Sequence, residues 1–274
     1  MADDTIYSLF LEGTLLAPLM ARNALKSNVT WASYPFLPPT GASGCLAEVV
    51  IGGRWHEGNT LDLEARRLEN VPGCEGVFAL GAYPTEWQMS RRHFRSHLGS
   101  LFNYEGSVWS ADQNEGKKLA VVEETLADVL TFAVCSHERE PLLGLHRAVR
   151  GRLTRVAKKG SLQFSFSAEP NIIELRGRKA TGDERALTVT LVEEMGSLPK
   201  RRLSPGQMLL YYTPMRSRSR EGRVEWDVLP CVWEEKMRLR AGVGIFAGTY
   251  SGSVVGLSSR VWDRIRTPWR QVSP

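Results

Sequence analysis

Residues 32–52 read ASYPFLPPTGASGCLAEVVIG, a proline-rich run that leads into a short apolar helix. Pro35, Pro38 and Pro39 restrict φ and remove backbone donors, so the first half is predicted to be extended. Ser43 is predicted to cap the helix, because its hydroxyl can accept a hydrogen bond from a free backbone N–H. The N-terminus of such a helix carries partial positive charge and suits a phosphate, although a proline-rich connection without a ligand explains the same pattern.

The composition of the chain is that of an ordinary globular protein. It has 274 residues, enough for one large domain or two small ones, and a formal net charge of +5. The first four residues, MADD, lack the basic start of a signal peptide, and no apolar run reaches the roughly 18 residues of a membrane span. We therefore expect a cytoplasmic protein with no membrane partner. Its four cysteines form no C-x-x-C pair, so buried, reduced thiols are expected.

Strand-like segments outnumber helix-like ones. A helix is predicted to begin at Pro141 and to continue past Arg155 to the lysines at 158–159, and a polar insertion occupies residues 85–118. Because strands and helices do not alternate regularly, the pattern favours an α+β fold with an antiparallel sheet. The strands at 208–213 and 224–228 are expected to pair across a basic loop at 215–223. Strands are predicted at residues 5–11, 77–83, 119–122, 129–134, 187–192, 208–213, 224–228 and 242–252.

Basic residues fall into three clusters. One lies between residues 139 and 159, one between 200 and 223, and one at 91–97, where arginines are interleaved with histidine and phenylalanine. Arginine binds phosphates through two parallel hydrogen bonds, and both arginine and aromatic side chains stack on unpaired bases. The clusters therefore predict nucleic-acid binding, and RNA in particular. Ordinary solvated surfaces, or contacts with an acidic partner protein, are the alternatives.

Residues suited to metal binding or covalent catalysis are sparse. His93 and His97 form one pair, but the arginines beside them repel a cation, so no metal is expected. The same pair could supply the general acid and base of a metal-independent ribonuclease. The sequence contains no P-loop and no nucleophile elbow, and we expect no cofactor.

The order of motifs at the start of the chain resembles a known family. An opening strand ends in Leu11-Glu12-Gly13, and about twenty residues later comes S-Y-P-x-x-P-P-T-x-x-x-G at residues 33–44, followed by an apolar helix that ends at Gly52. This order resembles the RAMP-type subunit of CRISPR Cascade complexes that caps the 5′ end of the guide RNA, the "Cas-five" family. The likeness is close over roughly the first fifty residues.

The resemblance implies a RAMP/ferredoxin-like (RRM-like) antiparallel sheet domain at residues 1–155 and a smaller, β-rich region at 156–274. The insertion at about 85–118 would be a β-hairpin thumb. The implied function is a non-catalytic subunit of a type I CRISPR Cascade surveillance complex in antiviral defence and RNA-guided DNA recognition. Its partners would be the crRNA 5′ handle, the Cascade backbone and large subunits and, through the complex, target DNA.

One branch of that family also cleaves precursor CRISPR RNA with a tyrosine and an adjacent lysine–histidine pair. This sequence has no Lys-His dipeptide, which favours a binding role, and a metal-independent endoribonuclease is the alternative. The predicted RNA-binding residues lie on the proline-rich segment, the insertion and the basic helix: Arg22, Lys26, Ser33, Tyr34, Thr40, Ser43, Gly44, Arg91, Arg92, His93, Arg95, Tyr104, Trp109, Arg147, Arg150 and Arg155.

Overall fold

The structure is a computed structural model of the chain. It describes residues 5–22, 30–31, 33–52, 67–85, 91–98, 102–105, 108–111, 119–157, 160–196, 210–220, 223–234 and 237–267.

Six elements form the framework of the fold. In chain order they are β1 (Thr5–Leu15), α1 (Pro39–Ile51), β5 (Phe78–Pro84), β10 (Val129–Ser136), α2 (Glu140–Val149) and β12 (Gly160–Phe164). The four strands are hydrogen-bonded in the order β12-β1-β10-β5, and every neighbouring pair is antiparallel. This βαββαβ arrangement is the ferredoxin-like topology, so the α+β, ferredoxin-like prediction is confirmed by the strand order itself.

The proline-rich segment lies along the edge of this sheet. Leu37 exchanges two backbone hydrogen bonds with Ala82 of β5, at 2.8 and 2.9 Å. Helix α1 then begins at Pro39, four residues earlier than the cap predicted at Ser43, because proline suits the first turn, where no backbone donor is needed. Ser43 therefore lies inside the helix, and the prediction that it caps the helix is wrong. Gly52 ends the helix with a φ of 75°, which glycine adopts without strain.

Helix α2 is shorter than the sequence pattern predicted. It ends at Val149, where Arg150 follows as the C-cap and Gly151 has a φ of 69°. The chain then turns into β11 (Leu153–Val156), which pairs with β12. Arg155 thus lies on a strand and not on the predicted helix, because a left-handed glycine interrupts the helix that the apolar periodicity would have continued.

The insertion between β5 and β10 contains strands whose backbone register is described. β6 (Arg91–Leu98) pairs with β9 (Leu119–Leu126) over eight residues, and β7 (Phe102–Glu105) pairs with β8 (Val108–Ala111). Short strands near the proline-rich segment complete this region. They are β2 (Ala21–Arg22), which pairs with β4 (Ser33–Tyr34), and β3 (Thr30–Trp31), which runs parallel to β9.

The C-terminal strands extend the first sheet. β13 (Asn171–Lys179) pairs with the first half of β1, whereas β12 pairs with its last three residues. Beyond β13 the sheet continues with β18 (Gly244–Tyr250), β19 (Ser253–Ser258) and β14 (Arg185–Ala186). Helix α3 (Ser259–Arg266) follows, and its Trp262 is buried against Phe78 of β5. β11 and β12 pair with each other across the expected domain boundary at residue 155.

A separate three-stranded sheet has the order β15-β17-β16. It contains β15 (Thr190–Leu191) and the hairpin of β16 (Tyr211–Arg220) and β17 (Arg223–Val232). The predicted pairing of these two strands is confirmed, but the predicted basic loop is mostly strand, since β16 continues to Arg220. Of the strand predicted at 187–192, only Thr190–Leu191 is confirmed, as β15, and a 3₁₀ turn begins at Val192.

The core fills the space between the sheet and the helices. Its largest fully buried side chains include Trp262, Tyr34, Phe36 and Phe132. The four cysteines are buried and free, as predicted, and burial raises the pKa of Cys45, Cys135 and Cys231 to about 12, so these thiols stay protonated. None of the helices in the described ranges is long and apolar enough to cross a membrane.

Candidate nucleic-acid interface

A wide cleft of about 1110 Å³ opens on the helical side of the sheet. Three elements form its walls: helix α1 along its whole length, including the carboxylate-bearing Glu48, the strand β11 and the hairpin β16–β17. Helix α1 and strand β16 contact each other directly, although the contacting residues lie 174 positions apart in sequence. Thr40 Oγ1 donates a hydrogen bond to the backbone carbonyl of Pro214 at 3.4 Å. Four of the predicted RNA-binding residues line this cleft: Thr40, Ser43, Gly44 and Arg155.

The first wall is the start of α1. Its first turn contains no acidic residue and its cap, Pro38, makes no side-chain hydrogen bond, so the partial positive charge of the helix end is not neutralised locally. Gly41 lets α1 pack closely on the proline-rich segment, because a Cβ on Gly41 would lie only 2.8 Å from Cδ1 of Leu37. The Ser43 hydroxyl accepts a hydrogen bond from the Leu68 amide at 2.9 Å, which ties α1 to the adjacent turn.

The second wall carries the free positive charge. Arg152 and Arg155 are exposed on either side of Leu153 and the buried Thr154. Neither arginine forms an ion pair with any residue that the structure describes. Exposed arginines without carboxylate partners remain available to a phosphate, which they can hold through two parallel hydrogen bonds.

The third wall is aromatic. Trp226 of β17 lies directly opposite Ser217 of β16, and 49% of its surface is exposed. Met215 and Ser217 line the cleft beside it. An exposed indole and two unpaired arginines in one cleft combine a stacking surface with a charged one, and this combination is typical of sites for single-stranded nucleic acids.

A buried charge network supports one end of the cleft. Arg216 is only 5% exposed and its Nη2 lies 3.1 Å from Oε1 of Glu69, the same oxygen that Arg67 contacts. Burial lowers the pKa of the Arg216 guanidinium, the nearby Arg67 lowers it further, and Glu69 acts in the opposite direction. Within the described part of the chain, Nε and Nη1 of Arg216 have no hydrogen-bond partner. Two guanidiniums share the Glu69 carboxylate here, and Asp227 supplies a second negative charge that acts on Arg216.

Two predicted RNA contacts belong instead to the core. Tyr34 is completely buried, and its hydroxyl donates to the backbone carbonyl of Tyr212 at 2.5 Å. Ser33 is 4% exposed, and its hydroxyl accepts a hydrogen bond from the Ala21 amide at 3.0 Å. The predicted RNA contacts at Tyr34 and Ser33 are therefore wrong, because both side chains are buried and form hydrogen bonds within the protein.

The remaining predicted residues lie outside the cleft or outside the described side chains. Arg147 and Arg150 are exposed at the end of α2, but neither lines the cleft. Lys26 is not among the described residues. For the others the structure describes the backbone of β2, β6, β7 and β8 but no side chain, so these predictions stay untested: Arg22, Arg91, Arg92, His93, Arg95, Tyr104 and Trp109.

The cleft contains three residues that the sequence did not single out as contacts. Arg67 lies in no basic cluster, so no sequence signal pointed to it. Arg152 belongs to the basic cluster at 139–159. Because that cluster was predicted to be one helix, the sequence did not distinguish Arg152 from the other arginines as a contact. Trp226 sits in a predicted strand, and the basic residues before it in the sequence were the available signal.

No protein-family model and no curated protein matches the chain. Solved structures that resemble it include a chain from "Cryo-EM structure of the Type III-B Cmr-beta bound to cognate target RNA", with a TM-score of 0.42, 10% identity and coverage of 84% of this chain and 86% of that one. A chain from the same complex with target RNA and AMPPnP gives a TM-score of 0.42, 9% identity and coverage of 85% and 86%. The ferredoxin-like topology follows from the strand order of this chain alone.

Proposed function

We propose that this protein is an RNA-binding subunit of a CRISPR effector complex and that it holds guide RNA in the cleft between α1, β11 and the hairpin β16–β17. The observation that carries the proposal is the meeting of two unpaired, exposed arginines with a half-exposed tryptophan in one open cleft. Arg152 and Arg155 would bind successive phosphates, and Trp226 would stack on a base. The positive end of α1 would favour a further phosphate near Thr40.

The finer proposal is that the bound segment is the 5′ handle of crRNA within a type I Cascade. The sequence resemblance supports it, because the proline-rich motif with which the resemblance began leads directly into the helix that forms one wall. The position of the insertion, between the second and third strands of the ferredoxin-like sheet, agrees with the expected thumb. The backbone subunit, the large subunit and, through the complex, target DNA are the partners that this role requires.

We further propose that the protein binds RNA without cleaving it. His93 and His97 lie four residues apart on β6, where an extended backbone separates them by roughly 13 Å. A general acid and a general base must both reach one phosphodiester, so two imidazoles on backbone positions this far apart would have to lean towards each other along the strand. The spacing on a strand therefore disfavours the two-histidine ribonuclease that is the alternative function.

The proposal is tested by purifying the full chain with its genomic neighbours and sequencing the RNA that accompanies it. We expect short RNAs with one constant 5′ end and variable downstream sequence. Uncleaved precursor RNA should remain intact when it is incubated with the purified chain. RNA with random ends, or no RNA, would overturn the handle-binding role and leave a protein that binds acidic partners.

Variants of the cleft test where the RNA lies. In the Arg152→Ala, Arg155→Ala double variant, we expect the slope of log affinity against log salt for single-stranded RNA to fall by about 1.4, because two phosphate contacts are lost. Trp226→Ala should weaken binding about tenfold through loss of stacking. Arg147→Ala is the matched control, since Arg147 is exposed outside the cleft. Equal losses in the control and the cleft variants would show that the charge acts without a defined site.

A further inference from the structure

A second pocket lies on the sheet away from the cleft. Its volume is about 330 Å³, at the small end of the range for ligand sites, and no described residue of α1 or α2 lines it. The floor comes from the three strands β1, β10 and β5, whose register places Glu12, Thr131 and Tyr83 in one row across the sheet.

Four aromatic side chains line the pocket: Phe10, Tyr83, Trp233 and Tyr250. Phe10 stacks on Tyr250 with ring centroids 3.9 Å apart, and Tyr83 lies 5.5 Å from Trp233. The Tyr83 hydroxyl is fixed, because it donates to the Leu80 carbonyl at 2.9 Å and accepts from the Val189 amide at 3.1 Å. Burial raises the pKa of Tyr83, so the phenol stays neutral. The pocket is therefore formed before any ligand arrives, which lowers the cost of binding.

A small residue creates the empty volume. Ala133 of β10 lies directly opposite Phe10 of β1, and its side chain is buried at the floor of the pocket. A larger side chain at this position would occupy the space between the aromatic walls. The partner of Ala133 on the other side, in β5, is Gly81, so two small residues lie side by side at this point of the sheet.

One carboxylate in the pocket is free. Glu12 is exposed, and among the residues that the structure describes its carboxylate has no hydrogen-bond or ion-pair partner. It lines this pocket and also a neighbouring depression beside the exposed ring of Phe166. Arg185 and Glu234 line the pocket as well, but each already interacts with other groups. A free carboxylate repels phosphate, so a nucleotide would have to enter by its base with the phosphates outside.

We propose that this pocket binds a guanine base. Flat aromatic walls suit a nucleobase, and a carboxylate accepts two parallel hydrogen bonds from the adjacent N1–H and N2–H groups of guanine. Adenine and cytosine present a donor beside an acceptor on the same edge, so one of their groups would face the Glu12 carboxylate unpaired. The inference deepens the proposed function, because the base would belong to a bound RNA whose phosphates lie outside the pocket.

The test is titration of the full chain with GMP, AMP, CMP and UMP, followed by short single-stranded RNAs with and without guanine. We expect GMP to bind about tenfold tighter than the other nucleotides, as a two-hydrogen-bond contact provides. Glu12→Gln should abolish this preference, and the exposed Glu169→Gln should leave it unchanged. Ala133→Leu, which fills the pocket, should remove GMP binding while the melting temperature shows that the chain is folded.

Equal affinity for all four nucleotides, or a guanine preference that survives Glu12→Gln, would overturn the inference. Binding of GMP without any preference among the RNAs would assign the pocket to a free guanine nucleotide and overturn the RNA source. The Arg152→Ala, Arg155→Ala variant separates this inference from the proposed function. It should weaken RNA binding without changing GMP affinity, so RNA binding that depends on these arginines but lacks a guanine preference refutes the pocket alone.

Discussion

The Tyr34 hydroxyl donates a hydrogen bond to the Tyr212 carbonyl, and its ring packs against Phe36 and Tyr211. At the scale of the residue, this buried tyrosine holds the proline-rich segment to β16, across 178 positions of sequence. Thr125 strengthens the attachment, because its hydroxyl donates to the Tyr34 carbonyl at 3.1 Å. Tyr34 therefore keeps one wall of the cleft in place against another, and in the proposed function it would affect RNA binding only indirectly.

Replacing Tyr34 with phenylalanine tests this assignment. Tyr34→Phe removes one buried donor while it keeps the ring, so we expect a loss of about 1 kcal/mol in the free energy of unfolding. The affinity for single-stranded RNA should be unchanged at temperatures where the variant is folded. Chemical denaturation and RNA titration measure the two quantities. Tyr212→Phe, whose exposed ring lies outside this bond, serves as the control, and a selective loss of RNA affinity in Tyr34→Phe would restore Tyr34 as a contact.

At the scale of the element, Glu184 determines how β13 connects to β14. Its carboxylate is buried and accepts hydrogen bonds from the amides of Thr181 and Gly182 at 3.0–3.2 Å. It also pairs with Arg178. Burial raises the pKa of Glu184, but the backbone N–H donors, Arg178 and the Thr181 hydroxyl together outweigh burial and lower it from 4.5 to about 2.

This lowered pKa predicts a pH-dependent stability. Because the folded state binds the proton less readily than the unfolded state, the contribution of Glu184 is complete above pH 4.5 and disappears as the pH falls towards 2. Glu184→Gln should cost about 1–3 kcal/mol near neutral pH, and the difference from the parent chain should shrink below pH 4.5. Denaturation at several pH values measures it, with the exposed Asp183→Asn as control. A difference independent of pH would contradict the assignment.

At the scale of the whole molecule, β1 needs partners from the far half of the chain. Thr5 to Phe10 pair with β13, and Gly13 to Leu15 pair with β12. The core also takes Trp262 from α3, which contacts Phe78 with ring centroids 5.6 Å apart. A chain that stops at residue 155 would lack these strands and this helix, and one edge of β1 would remain unpaired.

We therefore expect the fragment 1–155 to be unfolded or aggregated on its own. Circular dichroism and gel filtration of the fragment, compared with the full chain, measure this. Mixing it with a separately produced fragment 156–274 should restore folded material if the two halves form one sheet. A monomeric 1–155 fragment with cooperative unfolding would show that the expected boundary at residue 155 separates independent domains.

The sequence by itself determined those features that depend on neighbouring residues. Segments rich in apolar and β-forming residues located β1, β5 and β10, buried cysteines followed from their apolar surroundings, and Pro141 marked the start of α2 to within one residue. Apolar periodicity overran the end of α2, although Gly151 was a local signal that the helix stops. The cap predicted at Ser43 was also misplaced by a local signal that was overlooked, since Pro39 can occupy the first turn of a helix and α1 begins there.

Only the tertiary structure decided which of these features meet. Arg155 and Trp226 lie 71 positions apart in sequence and face the same cleft because β11 pairs with β12 and the hairpin β16–β17 packs on α1. Tyr34 and Trp226 are both aromatic residues of strands, yet one is buried and the other half-exposed. Local periodicity reports which way a side chain points within its own element. Which surface that side chain then meets depends on strand pairings between distant segments, and no local pattern encodes them.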